Sequence, residues 1–277
     1  HNVQLVKTDM LGGSTVPSTP SKRIPGTLNA YTQAIAGARH FIYIENQYLN
    51  FQPLGKLLEE ALNRTPTLQL IVILPFDTEE AAEDETKREL EPRYGIPLTD
   101  TDIKKVKNSM YLHSLFLQRQ IVDRLRKVSN AANRVGFFTL GGHVPGAAKS
   151  DQIYPHSKMM IVDDTWAIVG SANTNGRGFK IDGEMNVVIH SRPEVTAFRN
   201  ALWKEHLGVE LNTRQIRDYF KEWNQRALKG FTKAEDIPPT SLSNLHAVVL
   251  TNPPAGQKYN GQLESIGNFF GIIDDEV

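Results

Sequence analysis

The sequence predicts an α/β fold: an α/β/α sandwich in which a mixed, largely parallel central sheet is covered by helices on both faces. Short runs of β-branched and aromatic residues alternate along the chain with amphipathic stretches of helical length. Strands joined by a helix in this way usually lie parallel in one sheet. A length of 277 residues, with 40% hydrophobic and 22% charged residues, is ample for the buried core of such a fold.

The first half of the chain shows the strand–helix–strand order most clearly. Its predicted elements are, in order, a strand over 1–6, a Gly-, Ser-, Thr- and Pro-rich loop over 12–26, a helix over 28–38, a strand over 41–44, a helix over 54–63 and a strand over 68–74. The next stretch, 77–102, is acidic and is broken by Pro92 and Pro97. It is predicted to run over the surface, either as a solvated segment or as a lid over a cleft.

The second half supplies the remaining strands. Apolar residues at helical spacing first predict an amphipathic helix over 110–128. The elements predicted after it are strands over 136–140, 158–162, 166–169 and 185–189, helices over 195–207 and 214–228, and an irregular end from 237 onward.

The charge balance and the composition exclude some functions. Lysine and arginine total 31, as do aspartate and glutamate, so no strong field attracts nucleic acid, and no nucleic-acid partner is expected. No apolar run approaches the roughly 20 residues of a membrane span, so only peripheral access to membranes is expected. The absence of cysteine rules out disulfides and thiol catalysis and leaves the compartment open, whether secreted or cytosolic.

A segment with histidine and lysine at alternate positions carries the candidate chemistry. If residues 156–162 form a strand, His156 and Lys158 lie on one face and Ser157 lies on the other. Asp163 then falls on the face opposite His156. It is therefore a poor partner for the imidazole and is predicted to fix the turn before the next strand.

The return strand ends in small and polar residues, Gly170 to Gly176, which let backbone and side-chain donors approach a ligand closely. Phosphate suits such a site, because Lys158 supplies a cation and Asn173 a neutral donor. Glu184, at the start of a further strand, could accept the Nδ1 proton of His156 and leave Nε2 free to act.

Together these residues resemble the H-x-K-x-x-x-x-D signature of the phospholipase D superfamily and the G-S-x-N that follows it. Two further segments, 42–48 and 202–208, look like stretches of the C-terminal half of its phosphatidylcholine-type enzymes. The resemblance implies a phospholipase D-like catalytic half-domain over 1–232, followed by an irregular extension over 233–277. The residues that carry the resemblance are His156, Lys158, Asp163, Gly170, Ser171, Asn173 and Glu184.

The resemblance also implies phosphodiester cleavage through a covalent phosphohistidine, in which one histidine attacks phosphorus and a second protonates the leaving alcohol. This chain contains one such motif. Two explanations stay open: the missing N-terminal motif lies on another chain or upstream segment of the same enzyme, which we favour, or a homodimer pools one motif from each subunit. In the favoured case His156 acts as general acid and then as base.

The leading hypothesis is a phospholipase D that hydrolyses glycerophospholipids at a membrane surface to phosphatidic acid and a free head-group alcohol. The alternatives are a nuclease or other phosphodiesterase of the same superfamily and a non-catalytic half. No metal or other cofactor is expected. The expected catalytic residues are His156, Lys158, Asn173 and Glu184, and the expected substrate contacts are Ser171, Asn46 and Gln47.

Two expectations concern polar residues outside the motif. Glu45, Asn46 and Gln47 end a buried-looking strand, where their side chains either line the site or cap the strand. His206 is expected to be an ordinary packed or surface residue, and Trp203 beside it to belong to the core face of a helix.

Overall fold

The computed structural model describes residues 2–11, 22–75, 114, 117–142, 151–208, 218–229 and 245–247. The strands in this part of the chain are β1 (Asn2–Leu11), β2 (Lys22–Pro25), β3 (Phe41–Glu45), β4 (Gln69–Ile73), β5 (Val135–Gly142), β6 (Asp151–Ile153), β7 (Met159–Val162), β8 (Trp166–Gly170), β9 (Glu184–His190) and β10 (Leu245–Ala247). The α-helices are α1 (Gly26–Gly37), α2 (Gln52–Arg64), α3 (117–126), α4 (Arg192–Leu207) and α5 (Tyr219–Lys229).

The strands form one mixed sheet in the order β10-β5-β4-β3-β7-β8-β9-β1-β2, with β6 paired to β5. The β3–β4 and β4–β5 pairings are parallel. The other pairings of the described strands are antiparallel. Every residue of β3 and β4 is buried. This explains why their sequences are nearly continuous apolar runs and not alternating ones.

Helices cover both faces of the sheet, and the sheet separates the core into two apolar clusters. On one face, α1, α2 and α3 bury residues such as Leu58 and Ile121 against Val72 and its neighbours. On the other face, α4 and α5 bury Trp203 and Trp223. None of the helices in the described part of the chain combines the length and apolar character that crossing a bilayer requires.

The hairpin of β7 and β8 is held at its turn by two aspartates. Asp163 and Asp164 both have φ of 54°, the left-handed region that type I′ turns require at their central positions. The Asp164 carboxylate accepts from Arg199 of α4 at 2.7 and 2.8 Å, and both side chains are buried. The Arg199 guanidinium also lies over the Trp203 ring, 4.8 Å from its centroid. The Asp164–Arg199 pair thus connects the turn to the helical layer of α4 and α5.

The α/β sandwich with a mixed sheet and helices on both faces is confirmed. The sheet is less parallel than predicted, because only the β3–β4 and β4–β5 pairings among the described strands are parallel, whereas β7, β8 and β9 follow one another as antiparallel neighbours. β2 and β6 were not predicted. Each is a short strand without apolar alternation that pairs with one neighbour.

The predicted irregular extension, 233–277, contains one element of the sheet. Residues Leu245–Ala247 form β10 and pair antiparallel with β5, so backbone hydrogen bonding recruits a segment whose composition alone predicts no strand. The rest of that extension and the predicted surface excursion over 77–102 lie outside the described residues.

We expect Arg199→Met to lower the free energy of unfolding by about 3–5 kcal/mol, because it leaves the Asp164 carboxylate buried without its partner. Urea denaturation followed by circular dichroism would measure the change. Arg177→Met is the matched control, since the Arg177–Asp182 pair is exposed and its loss should cost less than about 1 kcal/mol. Equal losses in the two variants would contradict this assignment.

Candidate active site

The candidate site lies at one edge of the sheet, where the ends of four neighbouring strands meet. β3 ends at Glu45 and β7 begins beside it, with Glu45 paired to Met159. β8 ends at Gly170, paired to Asn186 near the start of β9. Because β7 is antiparallel to both β3 and β8, the polar residues that flank these ends converge at this edge.

His156 and Lys158 lie in the irregular stretch 154–158 just before β7, not within the strand as predicted. The His156 side chain is exposed. Lys158 is buried, and its Nζ donates to Gln47 Oε1 at 2.5 Å and to the carbonyl oxygen of His156 at 2.8 Å. Burial lowers the pKa of Lys158 below its ordinary value, and the negative charge of Glu184 opposes that shift. A cation is thus held beside an accessible imidazole.

Gln47 and Asn46, both predicted to bind substrate, occupy different environments. Gln47 holds the Lys158 ammonium directly, as described above. Asn46 is fully buried, and its Oδ1 accepts from the backbone N–H of Thr174 at 3.1 Å. Its Nδ2 donates to the carbonyl oxygen of Ala172 at 3.5 Å. Asn46 therefore supports the loop after β8, and its contact with substrate stays a prediction.

The end of β8 approaches β9 so closely that only glycine fits at its last residue, Gly170. A Cβ on Gly170 would lie 2.3 Å from both Asn186 Oδ1 and the carbonyl oxygen of Met185. The Gly170 N–H donates to the carbonyl oxygen of Lys158 at 3.0 Å, which joins the loop to the histidine segment. Asn173 follows, with its Oδ1 buried and without a hydrogen-bond partner among the described residues.

Glu184 and Ser171 contact each other at the start of β9. The Ser171 hydroxyl donates to the Glu184 carboxylate and accepts from the Met185 N–H at 3.1 Å. Within the described part of the chain, no hydrogen bond joins Glu184 to His156, so the pairing expected from the sequence is absent from this conformation. Glu184 is half-buried and Ser171 is exposed.

Asp163, the last residue of the motif, lies at the opposite end of β7 from His156. Its carboxylate accepts from the backbone N–H groups of Arg39, His40 and Phe41 at 2.7 to 2.8 Å. It thereby joins the β7–β8 turn to the start of β3, and it is far from the edge where the other polar residues meet.

A buried polar cluster beneath the site was not predicted from the sequence. The Glu45 carboxylate accepts from Tyr43 Oη at 2.6 Å, from the Ser157 hydroxyl and from His206 Nε2 at 2.8 Å. His206 is packed, as expected, but as the partner of a buried carboxylate and not as a core filler. The one available signal was that Glu45 and His206 each lie in a segment that resembles the superfamily.

Residues 31–205 match the family described as cardiolipin synthase, PLD-like domain. The chain belongs to this phospholipase D-like family. It is 31% identical over 277 residues to phospholipase D alpha 3 of Arabidopsis thaliana. This alignment covers 78% of the chain and 33% of the Arabidopsis protein. The chain is 26% identical over 265 residues to a phospholipase D of Phytophthora infestans, which covers 82% of this chain and 14% of that protein. This phospholipase D-like chain thus spans a third or less of either relative.

Two solved structures are also similar to the phospholipase D-like chain. NucT from Helicobacter pylori covers 73% of this chain and 95% of its own, with a TM-score of 0.44 and 13% identity. Nuc from Salmonella typhimurium, a phospholipase D family member, covers 77% of this chain and 99% of its own, with a TM-score of 0.42 and 13% identity.

We expect Gly170→Ala to destabilise the protein by about 1–3 kcal/mol, because the new methyl group must displace backbone and side-chain atoms of β9. Thermal unfolding would measure the loss. Gly37→Ala serves as the control, since a Cβ there has no neighbour within 4 Å at the end of α1. That substitution should be neutral or stabilising by up to about 1 kcal/mol. A Gly170→Ala variant as stable as Gly37→Ala would refute the packing argument.

Proposed function

We propose that this chain supplies one half of a phospholipase D active site, which hydrolyses glycerophospholipids to phosphatidic acid and a free head-group alcohol through a phosphohistidine intermediate. In this proposal His156 is the general acid and base. Lys158 and Asn173 hold the phosphoryl oxygens, Glu184 orients an active-site imidazole, and Ser171 and Gln47 assist substrate binding.

The observation that carries the proposal is the pairing of an exposed imidazole with a buried ammonium on one short segment. His156 is accessible to a ligand, whereas Lys158 is held 2.5 Å from Gln47 Oε1 within the protein. A phosphate oxygen would be a stronger acceptor for that ammonium than a neutral amide oxygen. Positive charge fixed in a partly dry site stabilises developing negative charge on a phosphoryl group without rearranging.

The proposed reaction has two displacements at phosphorus. In the first, the histidine of the missing N-terminal motif attacks phosphorus, the bond from phosphorus to the head-group oxygen breaks, and protonated His156 gives its proton to that oxygen. In the second, neutral His156 takes a proton from water, the water oxygen attacks phosphorus, and the phosphorus–nitrogen bond breaks. Phosphatidic acid leaves, and both histidines regain their starting protonation states.

A lipid substrate is favoured over nucleic acid by the charge of the chain. The numbers of basic and acidic residues are equal, at 31 each. A phosphodiesterase acting on nucleic acid needs a basic groove to follow the backbone. The relatives over most of this sequence also carry the name phospholipase D.

We expect choline release from phosphatidylcholine vesicles and no nicking of plasmid DNA by the assembled enzyme. His156→Ala should lower choline release by about 10²–10⁴-fold, the usual contribution of a general acid and base. His40→Ala is the matched control: His40 is an exposed histidine just before β3, at the opposite edge of the sheet, and its loss should leave the rate unchanged. DNA nicking without choline release would overturn the lipase assignment.

The source of the missing motif is open to a direct test. This chain alone should be inactive at any concentration and should gain activity when mixed with a separately expressed segment that carries another H-x-K-x-x-x-x-D motif. If specific activity instead rises with the concentration of this chain alone, a homodimer supplies both histidines and the two-segment arrangement is wrong.

A further inference from the structure

The Glu45 carboxylate is a buried charge to which the proposed reaction gives no role. It lies at the end of β3, next to the first residue of β7, and is 4% exposed. Taking a carboxylate out of water is costly unless hydrogen bonds or a counter-charge compensate it. Apolar side chains of similar volume often replace such buried pairs without loss of stability. Stability alone therefore does not explain its presence beneath the site.

Three donors from three different parts of the chain hold this carboxylate in its charged form. They are Tyr43 of β3, His206 near the end of α4, and Ser157 of the histidine segment. Burial by itself would raise the pKa of Glu45. The hydrogen bond and charge of His206, with the hydrogen bonds of Ser157 and Tyr43, lower that pKa below its ordinary value.

Two of these donors are packed against the buried tryptophans of α4 and α5. The Tyr43 ring packs against Trp203 and Trp223, with centroids 5.6 and 5.7 Å away. The His206 ring lies edge-on to Trp223 at 6.4 Å. The carboxylate is therefore fixed relative to the sheet and the α4–α5 layer, and it can serve as an anchor for whatever binds its remaining oxygen.

The third donor, Ser157, connects this anchor to the reacting histidine. It lies between His156 and Lys158, in the irregular stretch that precedes β7. The His156 ring makes no hydrogen bond with any described residue, so its position depends on the backbone that carries it. That backbone is held on one side by Lys158 and on the other by the Ser157 hydroxyl.

We propose that Glu45, held by its ion pair with His206, positions the His156 imidazole through the Ser157 hydroxyl. Glu45, His206 and Ser157 are then positioning residues that do not touch the substrate. The inference rests on the proposed function, because it makes the Glu45–His206 pair responsible for orienting His156 toward phosphorus.

The test compares two substitutions that each remove one hydroxyl from the same carboxylate. Ser157→Ala removes the donor attached to the histidine segment. Tyr43→Phe, the matched control, removes a donor that does not contact this segment and leaves the His206 ion pair to hold the carboxylate. The first readout, independent of activity, is NMR of the protein with ring-labelled histidine. We expect Ser157→Ala to shift or broaden the His156 ring signals, while Tyr43→Phe and Ser157→Thr, which keeps the Ser157 hydroxyl function, leave them unchanged.

The second readout is hydrolysis of phosphatidylcholine by the assembled enzyme. Ser157→Ala should lower kcat about tenfold with KM unchanged, the effect of losing one hydrogen bond to a charged group, and Ser157→Thr should restore it. Tyr43→Phe should keep the wild-type kcat. An unchanged His156 spectrum in Ser157→Ala, or equal losses of kcat in Ser157→Ala and Tyr43→Phe, would overturn the positioning role. A wild-type enzyme without turnover would instead refute the proposed function, and the histidine spectra would still decide the positioning.

Discussion

The antiparallel pairing of β7 with β3 on one side and with β8 on the other determines where the polar segments of this chain meet. Because the chain direction reverses from β3 to β7 and again from β7 to β8, the end of β3, the start of β7 and the end of β8 lie at the same edge of the sheet. The pairing of β8 with β9 adds Glu184 to that edge. The apolar side chains of these strands are committed to the two helical layers, so polar groups with catalytic potential are confined to the strand ends.

Polar contacts hold β7 at both of its ends. At the turn, Asp163 accepts three backbone N–H groups before β3, and Asp164 holds Arg199 of α4. At the other end, Glu45 holds Ser157 and His206. Hydrogen bonds to charged groups have stricter geometry than apolar contacts. A strand fixed at both ends in this way cannot slide in register, and the residues just before it keep their place.

Much of the site followed from short-range pattern. The sequence predicted different surroundings for Lys158 and Ser157, and the structure directs Lys158 to Gln47 and Ser157 to Glu45, although both residues precede β7 and do not lie within it. The same reasoning placed Asp163 in the turn, where it lies. The fold class was predictable for a similar reason, because a helix with one apolar face and a strand that is apolar throughout must pack against each other in a layer of helices and a sheet. The proportion of parallel strands was not, since alternation carries no information about which strands become neighbours.

The sequence by itself determined the α/β class and the order and spacing of His156, Lys158, Asn173 and Glu184. Only the tertiary structure decided that Asn46 supports a loop, that Glu184 contacts Ser171, and that Glu45 pairs with His206 across 161 residues of chain. The physical reason is one of range. Periodicity and motif spacing report on neighbours within a few residues, whereas a buried pair depends on strand order and helix packing, which arise only when the layers assemble.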